Sequence, residues 1–253
     1  MCTVVLLRRP QHEWPMIVGA NRDEMASRPW KPPARHWPDR PEVVAGLDVL
    51  AGGSWLGLND AGVVAGILNR HGTLGPAAGF RSRGELVLEA LDHHDAAEAV
   101  RALRHLEPRT YRPFNMIVAD NRDAFWLKHA DTTGASGIAV TPIPEGISML
   151  TAGELDDAES GRIRHYHPLF LAAKPPDPER GDCKAWETLL ASTEAAPEEG
   201  PSGAMRFLTD QGFGTVSSAL IALPKPSLDA RKPRFRFASW LPKPEPWREV
   251  SGR

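Results

Sequence analysis

The chain of 253 residues has only two cysteines, Cys2 and Cys183, which excludes a disulfide-built scaffold and a cysteine-rich zinc module. It lacks an excess of either charge: 30 basic against 32 acidic residues leave a net charge of -2 and a pI near 6.5. That removes the electrostatic footprint on which non-specific nucleic-acid binding depends. No apolar run approaches the length of a membrane span. The one apolar stretch near the start, residues 2–7, is followed rather than preceded by Arg8 and Arg9, so no secretory leader is expected and the expected location is cytoplasmic. None of the nine histidines falls into H-E-x-x-H spacing, and neither GGSWLG nor GTLGPAAG matches a phosphate-cradling glycine pattern. No metal site is expected. The two NRD triplets, at 21–23 and 121–123, have different surroundings, so there is no internal repeat.

What is present reads as a folded α+β chain. Hydrophobic residues make up 42% and charged residues 25%, an ordinary soluble composition, and a chain this long can bury about 70% of its unfolded surface. Eight tryptophans and 24 prolines indicate a substantial core with many loops and edges. Residues 2–7 and 15–20 form an expected antiparallel strand pair, with Asn21–Glu24 where the second strand ends. Residues 27–41, with five prolines, read as a loop or lid, and Trp30, His36 and Trp37 there either line a pocket mouth or pack beneath it. SWLGLN (54–59) and VVAGILN (63–69) bracket a hairpin turn in which Asn59 takes part.

From Arg81 the texture turns helical. Ser82 and Glu85 have capping-box spacing, and a second helix fits 95–106. His93 and His94 fall at the hinge between them. Strands are expected over 113–120 and 124–130, with shorter ones near 137–141 and 147–151. Helices follow over 156–173 and 182–192, then strands over 214–223 and 233–239, and an irregular tail. Segregated runs of strands and helices indicate α+β layers rather than parallel βαβ units, and no linker forces a cut, so one domain over 1–253 is expected.

Cys2 is the first candidate for chemistry. With Met1 removed it would carry a thiol and a free α-amine, whose ordinary pKa of about 7.7–8.0 makes it a usable base. Alternatively Cys2 is an apolar strand opener. Asn21, Arg22, Asp23 and Glu24 are expected beside it: Arg22 to lower the thiol pKa or hold a carboxylate, Asp23 to hold the α-ammonium, Asn21 to donate to an oxyanion. The alternative is a solvated salt-bridge cluster. Asn115, odd within an apolar strand, is a candidate amide donor. Cys183 has no partner spacing and no assigned role.

These pieces taken in order, MCTVVL, GANRDE, AGGSWLGLNDAGVVAGILN, YRPFNMIVAD and FGTVSSALIAL, resemble the NRDE family, also called the transport and Golgi organisation protein family, over residues 1 to about 223. More distantly the chain is similar to the penicillin V acylase and bile-salt hydrolase group. The resemblance implies a four-layer αββα sandwich of N-terminal nucleophile hydrolase type. It implies Cys2 as nucleophile, Asp23 as holder of its amine, and Asn69 as the asparagine closing the G-L-N block. Three positions depart: Ala20 stands where the acylases have an arginine, Ala152 where the family and the acylases have an asparagine, and Val216 where the family has an arginine.

Two functions follow. One is a cysteine amidohydrolase acting on a small amide or thioester, with Cys2, Arg22, Asp23 and Asn69 catalytic and Asn21, Glu24 and Asn115 binding substrate, and no cofactor. The other is a non-catalytic carrier of haem or an acyl ligand on the same fold. Either way the expected partner is a small molecule, not a nucleic acid, and no membrane span is expected.

Overall fold

In the computed structural model, residues 2–131, 133, 137–226 and 231–250 are described. The chain divides into two compact units: one runs to Arg28 and resumes over Pro144–Val250, and the other is Pro29–Ile143. Each is an antiparallel sheet with helices packed on it, giving the α+β class expected.

The first unit holds β1 (Thr3–Arg8), β2 (Met16–Met25), β10 (Gly146–Leu150), α3 (Gly161–Ala172), α4 (Lys184–Leu190), β11 (Phe213–Leu223), β12 (Arg234–Ser239) and β13 (Glu245–Glu249). The sheet order is β10-β1-β2-β11-β12-β13, so β1 and β2 are interior strands. Val5, Ile17, Met149 and Leu220 pack with Ile163, Tyr166, Phe170 and Trp186 in one apolar core. Two expectations change here. Asn21–Glu24 do not follow β2 but lie inside it, because β11 continues the ladder past them, pairing Thr215 with Asp23 and Gly214 with Glu24. The tail is also not wholly irregular: Glu245–Glu249 adds an edge strand to β12, with Arg236 opposite Glu249 and an ion pair of 3.4 Å between them.

The second unit is a seven-stranded meander in chain order: β3 (Trp30–Ala34), β4 (Val43–Asp48), β5 (Leu56–Asn59), β6 (Val64–Asn69), β7 (Phe114–Ala119), β8 (Ala124–His129) and β9 (Ala139–Pro142). Helices α1 (Gly84–Leu91) and α2 (Ala96–Leu103) bury Leu86, Leu91, Val100 and Leu103 against Val43, Val63, Met116 and Val118. The 5–6 hairpin forms as expected. Asn59 Oδ1 accepts from Val63 N–H at 2.9 Å, and its amide donates to the carbonyls of Leu91 and His93, tying the turn to the end of α1.

Three readings of this region are corrected. The proline-rich segment is not all loop: Trp30–Ala34 is an edge strand, where proline's missing donor is harmless, and its register slips between Lys31 and Ala34. Val43–Asp48, which carried no assignment, is an interior strand. The capping box does not form, because Arg83 is the N-cap of α1 and Glu85 pairs with Arg81 at 2.7 Å instead. Asp95 does cap α2, accepting from Glu98 N–H at 2.7 Å. Trp37 donates to the Gly52 carbonyl at 3.0 Å, and Trp30 packs edge-on against Trp55, so both tryptophans are held by local packing.

The GG pair before Ser54 has a packing reason. A Cβ on Gly53 would stand 2.5 Å from the backbone carbon of Gly84, while Ser54 N–H donates to the Gly84 carbonyl at 3.0 Å. Backbone meets backbone there, with no flexible side chain to yield. Gly53→Ala is therefore expected to destabilise the protein by about 1–3 kcal/mol, the range for overpacking, whereas Gly52→Ala loses only the ease of a positive φ, and urea melts of the two variants check the difference.

Candidate active site

Cys2 lies immediately before β1, and the register pairs Thr3 with Asn21, which sets Cys2 beside the following residues of β2. The Cys2 Sγ accepts from Asp23 N–H at 3.4 Å and lies 3.6 Å from the Asp23 carbonyl, to which the thiol donates. The expected meeting of Cys2 and Asp23 is thus made through the Asp23 backbone. Burial pushes the thiol pKa up, the Asp23 carboxylate pushes it further, and the Asp23 backbone hydrogen bond and Arg22 pull the other way more weakly. The net effect favours the protonated thiol.

The Asp23 carboxylate points into a fully enclosed polar knot. One oxygen meets the Arg162 guanidinium at 3.1 Å, with the two side chains only 0% and 1% exposed. The other accepts from the Thr215 hydroxyl at 2.8 Å. Arg162 also donates to Thr3 Oγ1 at 2.7 Å and to the Ser202 carbonyl at 2.6 Å, and its guanidinium lies 5.4 Å from the centre of the Phe207 ring. Three strands and the first turn of α3 therefore converge on one carboxylate. Arg162 was not singled out from the sequence. It lies 139 positions from Asp23, on a helix whose start is signalled by Ser160 but whose inward face is not. The only available hint was general: a carboxylate inside a sheet needs a cation.

The other expected residues separate by role. Arg22 is 5% exposed and approaches Glu24 at 3.8 Å; Glu24 also accepts from Met25 N–H at 2.8 Å and lies 3.7 Å from Arg28. Asn21 is buried and spends its amide hydrogens on the carbonyls of Leu190 and Met205, at 2.9 and 2.7 Å, while its oxygen accepts from Ser218. It ties strands to the α4 end rather than facing a ligand. Asn69 and Asn115 belong to the other unit. Asn69 is half-buried at the end of β6, and among the described residues its side chain has no hydrogen bond. Asn115 is buried, and its oxygen accepts from Arg70 at 2.8 Å and from the Trp126 indole at 3.1 Å. Ala20, Ala152 and Val216 are all buried, Val216 within the bulge where β11 shifts register.

Cys183 is the N-cap residue of α4, buried, with its thiol pushed up to about 11 by desolvation. Among the described residues, no group of three or more His, Cys, Asp and Glu side chains is placed to hold a metal ion, and no helix is long and apolar enough to cross a membrane.

A family model described as Transport and Golgi organisation 2 matches residues 1–171. The chain belongs to this family. No curated protein matches the sequence. Among solved structures it is similar to a Caenorhabditis elegans ortholog of N-acylethanolamine-hydrolyzing acid amidase, at a TM-score of 0.58 and 15% identity over 89% of this chain and 94% of that one. It is also similar to two forms of conjugated bile acid hydrolase from Clostridium perfringens, both at 11% identity. One gives a TM-score of 0.56 over 98% of this chain and 92% of that one. The other gives 0.53 over 100% and 97%. These likenesses show the fold, which is of the N-terminal nucleophile hydrolase type that the family resemblance implied.

Removing one member of a buried ion pair leaves the other charged and uncompensated, typically at a cost of about 3–5 kcal/mol. Arg162→Met is expected to destabilise the protein by that amount, and Asp23→Asn with Arg162→Met together by less than the sum, as a double-mutant cycle of denaturant melts would show.

Proposed function

We propose that the chain is a cysteine amidohydrolase of the N-terminal nucleophile type, opening a small amide or thioester at Cys2. The observation that carries this reading is the Cys2–Asp23 contact at 3.4 Å beside a carboxylate held by Arg162 and Thr215. A structural thiol would not need a buried ionic knot beneath it.

In this mechanism, removal of Met1 frees the Cys2 α-amine. The amine takes the thiol proton, and the thiolate attacks the substrate carbonyl, forming the C–S bond as the carbonyl electron pair moves onto oxygen. Collapse of that intermediate breaks the bond to the leaving amine or thiol, which departs with the proton held by the α-ammonium. Water then attacks the acyl-cysteine, giving a proton to the α-amine. The C–S bond breaks and the thiol is restored. Asp23, paired with Arg162 at 3.1 Å, is the group proposed to act on the α-amine electrostatically. Arg22 and Glu24 are the proposed contacts to the substrate's polar end.

The reading requires the amine in its neutral form at the start of each turnover. Hydrolysis should therefore rise with pH through a limb in or above the α-amino range, about 7.7–8.0, and vanish below it. Cys2→Ala should abolish turnover of a panel of small amides and thioesters with little loss of stability, and protein whose intact mass shows Met1 retained should be inactive. Turnover by such unprocessed protein would overturn the mechanism.

One observation favours the carrier reading as the second choice. Ala20, Ala152 and Val216 put buried apolar surface where the family or the acylase relatives carry polar side chains. Absence of turnover by processed protein, with haem or acyl-ligand binding that survives Cys2→Ala, would decide for it.

A further inference from the structure

At the other end of β1 from Cys2, the chain lines a cleft of about 400 Å³, a volume within the usual range for a small-molecule site. Cys2 and Arg9 are separated by about 20 Å or more at the rise of a β-strand, so this cleft is distinct from the Cys2 site. Its walls come from the β1–β2 connection, with Arg9, His12 and Trp14, and from the α3–α4 connection, with Lys174, Pro175 and Pro176.

The charges around it are unequal in their pairing. Lys174 is neutralised by Asp182 at 2.7 Å, and Arg231 by Glu13 at 2.7 Å with Glu179 at 4.0 Å. Asp177 lies 3.8 Å from Arg180. Arg9 is the exception. Among the described residues no carboxylate lies within ion-pair distance of it, its Nε is buried without a hydrogen-bond partner, and its one acceptor is the Trp14 carbonyl at 3.4 Å. Burial pulls the Arg9 pKa down, with no anion opposing it. Beside it, the exposed His12 accepts at Nδ1 from Trp14 N–H at 2.9 Å, which leaves Nε2 as the donor of the neutral ring, and desolvation with the nearby Arg9 charge pulls its pKa down. A half-buried guanidinium with its Nε desolvated and no carboxylate partner among the described residues is favourably completed by an anion from solution.

We propose that this cleft binds a small monoanionic carboxylate with a flat apolar body. The guanidinium fork of Arg9 would take the carboxylate, the His12 Nε2–H would add a donor, and Pro175 with the lining edges of the largely buried Trp14 and Pro176 would meet the apolar part. The three lining acids, Glu13, Asp177 and Glu179, select against a dianion such as phosphate. The proposal does not depend on the chemistry assigned to Cys2.

The test is a titration of the ¹⁵N-labelled full chain with phenylacetate, phenylacetamide and inorganic phosphate, followed by amide chemical shifts. Phenylacetate should give saturable shifts confined to residues 9–14 and 174–179. Phenylacetamide, the same shape without charge, should bind at least about tenfold more weakly, as should phenylacetate to Arg9→Gln. Arg9→Lys, which keeps the charge but not the fork, should bind phenylacetate more weakly than the wild type and serves if Arg9→Gln does not fold. Equal binding of the acid and the amide, shifts located elsewhere, no saturation, or tighter binding of phosphate would each overturn the proposal.

Discussion

The buried pairing of Asp23 with Arg162 is the constraint on which the first unit turns. An ionised carboxylate with no exposure is tolerable only if its charge is matched and its lone pairs are filled. Arg162, Thr215 and, through Arg162, Thr3 and the Ser202 carbonyl do both. The requirement joins β1, β2, β11 and the first turn of α3. It also accounts for an Asn-Arg-Asp-Glu run inside a central β-strand, a composition that on its own belongs in a turn. Buried pairs of this kind contribute little net stability compared with apolar packing. Their retention is better understood through what they hold in place, which here is the backbone that contacts the Cys2 thiol.

That contact has two electrostatic sides. The Asp23 carboxylate raises the thiol pKa, while the Asp23 backbone lowers it, and desolvation outweighs both. A thiol so placed is not a spontaneous thiolate of the kind found at helix N-termini. In the proposed mechanism it would need a proton acceptor, and an α-amine on the same residue would be one that needs no further side chain. Cys183, equally a thiol and also desolvated, has no such partner and sits behind α4 as packing.

In the second unit the organising feature is close backbone approach. Gly53 meets Gly84, and Gly57 leaves room for Ala45 and Leu91, so α1 is laid against the meander at distances a larger residue would forbid. The glycine-rich GGSWLG segment therefore serves packing. The proline-rich segment before it is similarly explained by position: at the sheet edge, Pro32 and Pro33 terminate pairing without orphaning a neighbour's backbone.

The sequence alone determined the class of fold, most strand and helix positions, the β5–β6 turn with Asn59, the α2 cap at Asp95, and the nearness of Cys2 to Asp23. Each rests on short-range physics: periodicity, turn chemistry, capping and the pairing of consecutive strands. Tertiary structure decided the rest. It extended β2 through the NRDE run because β11, far along the chain, supplies the ladder. It made Trp30–Ala34 an edge strand, added Glu245–Glu249 to β12, and withheld the capping box by giving Glu85 to Arg81. It turned Asn21 into a tie to Leu190 and Met205, and it brought Arg162 to Asp23. None of these could be read locally, because the energy of a buried charge or a ladder hydrogen bond depends on which distant groups arrive to satisfy it.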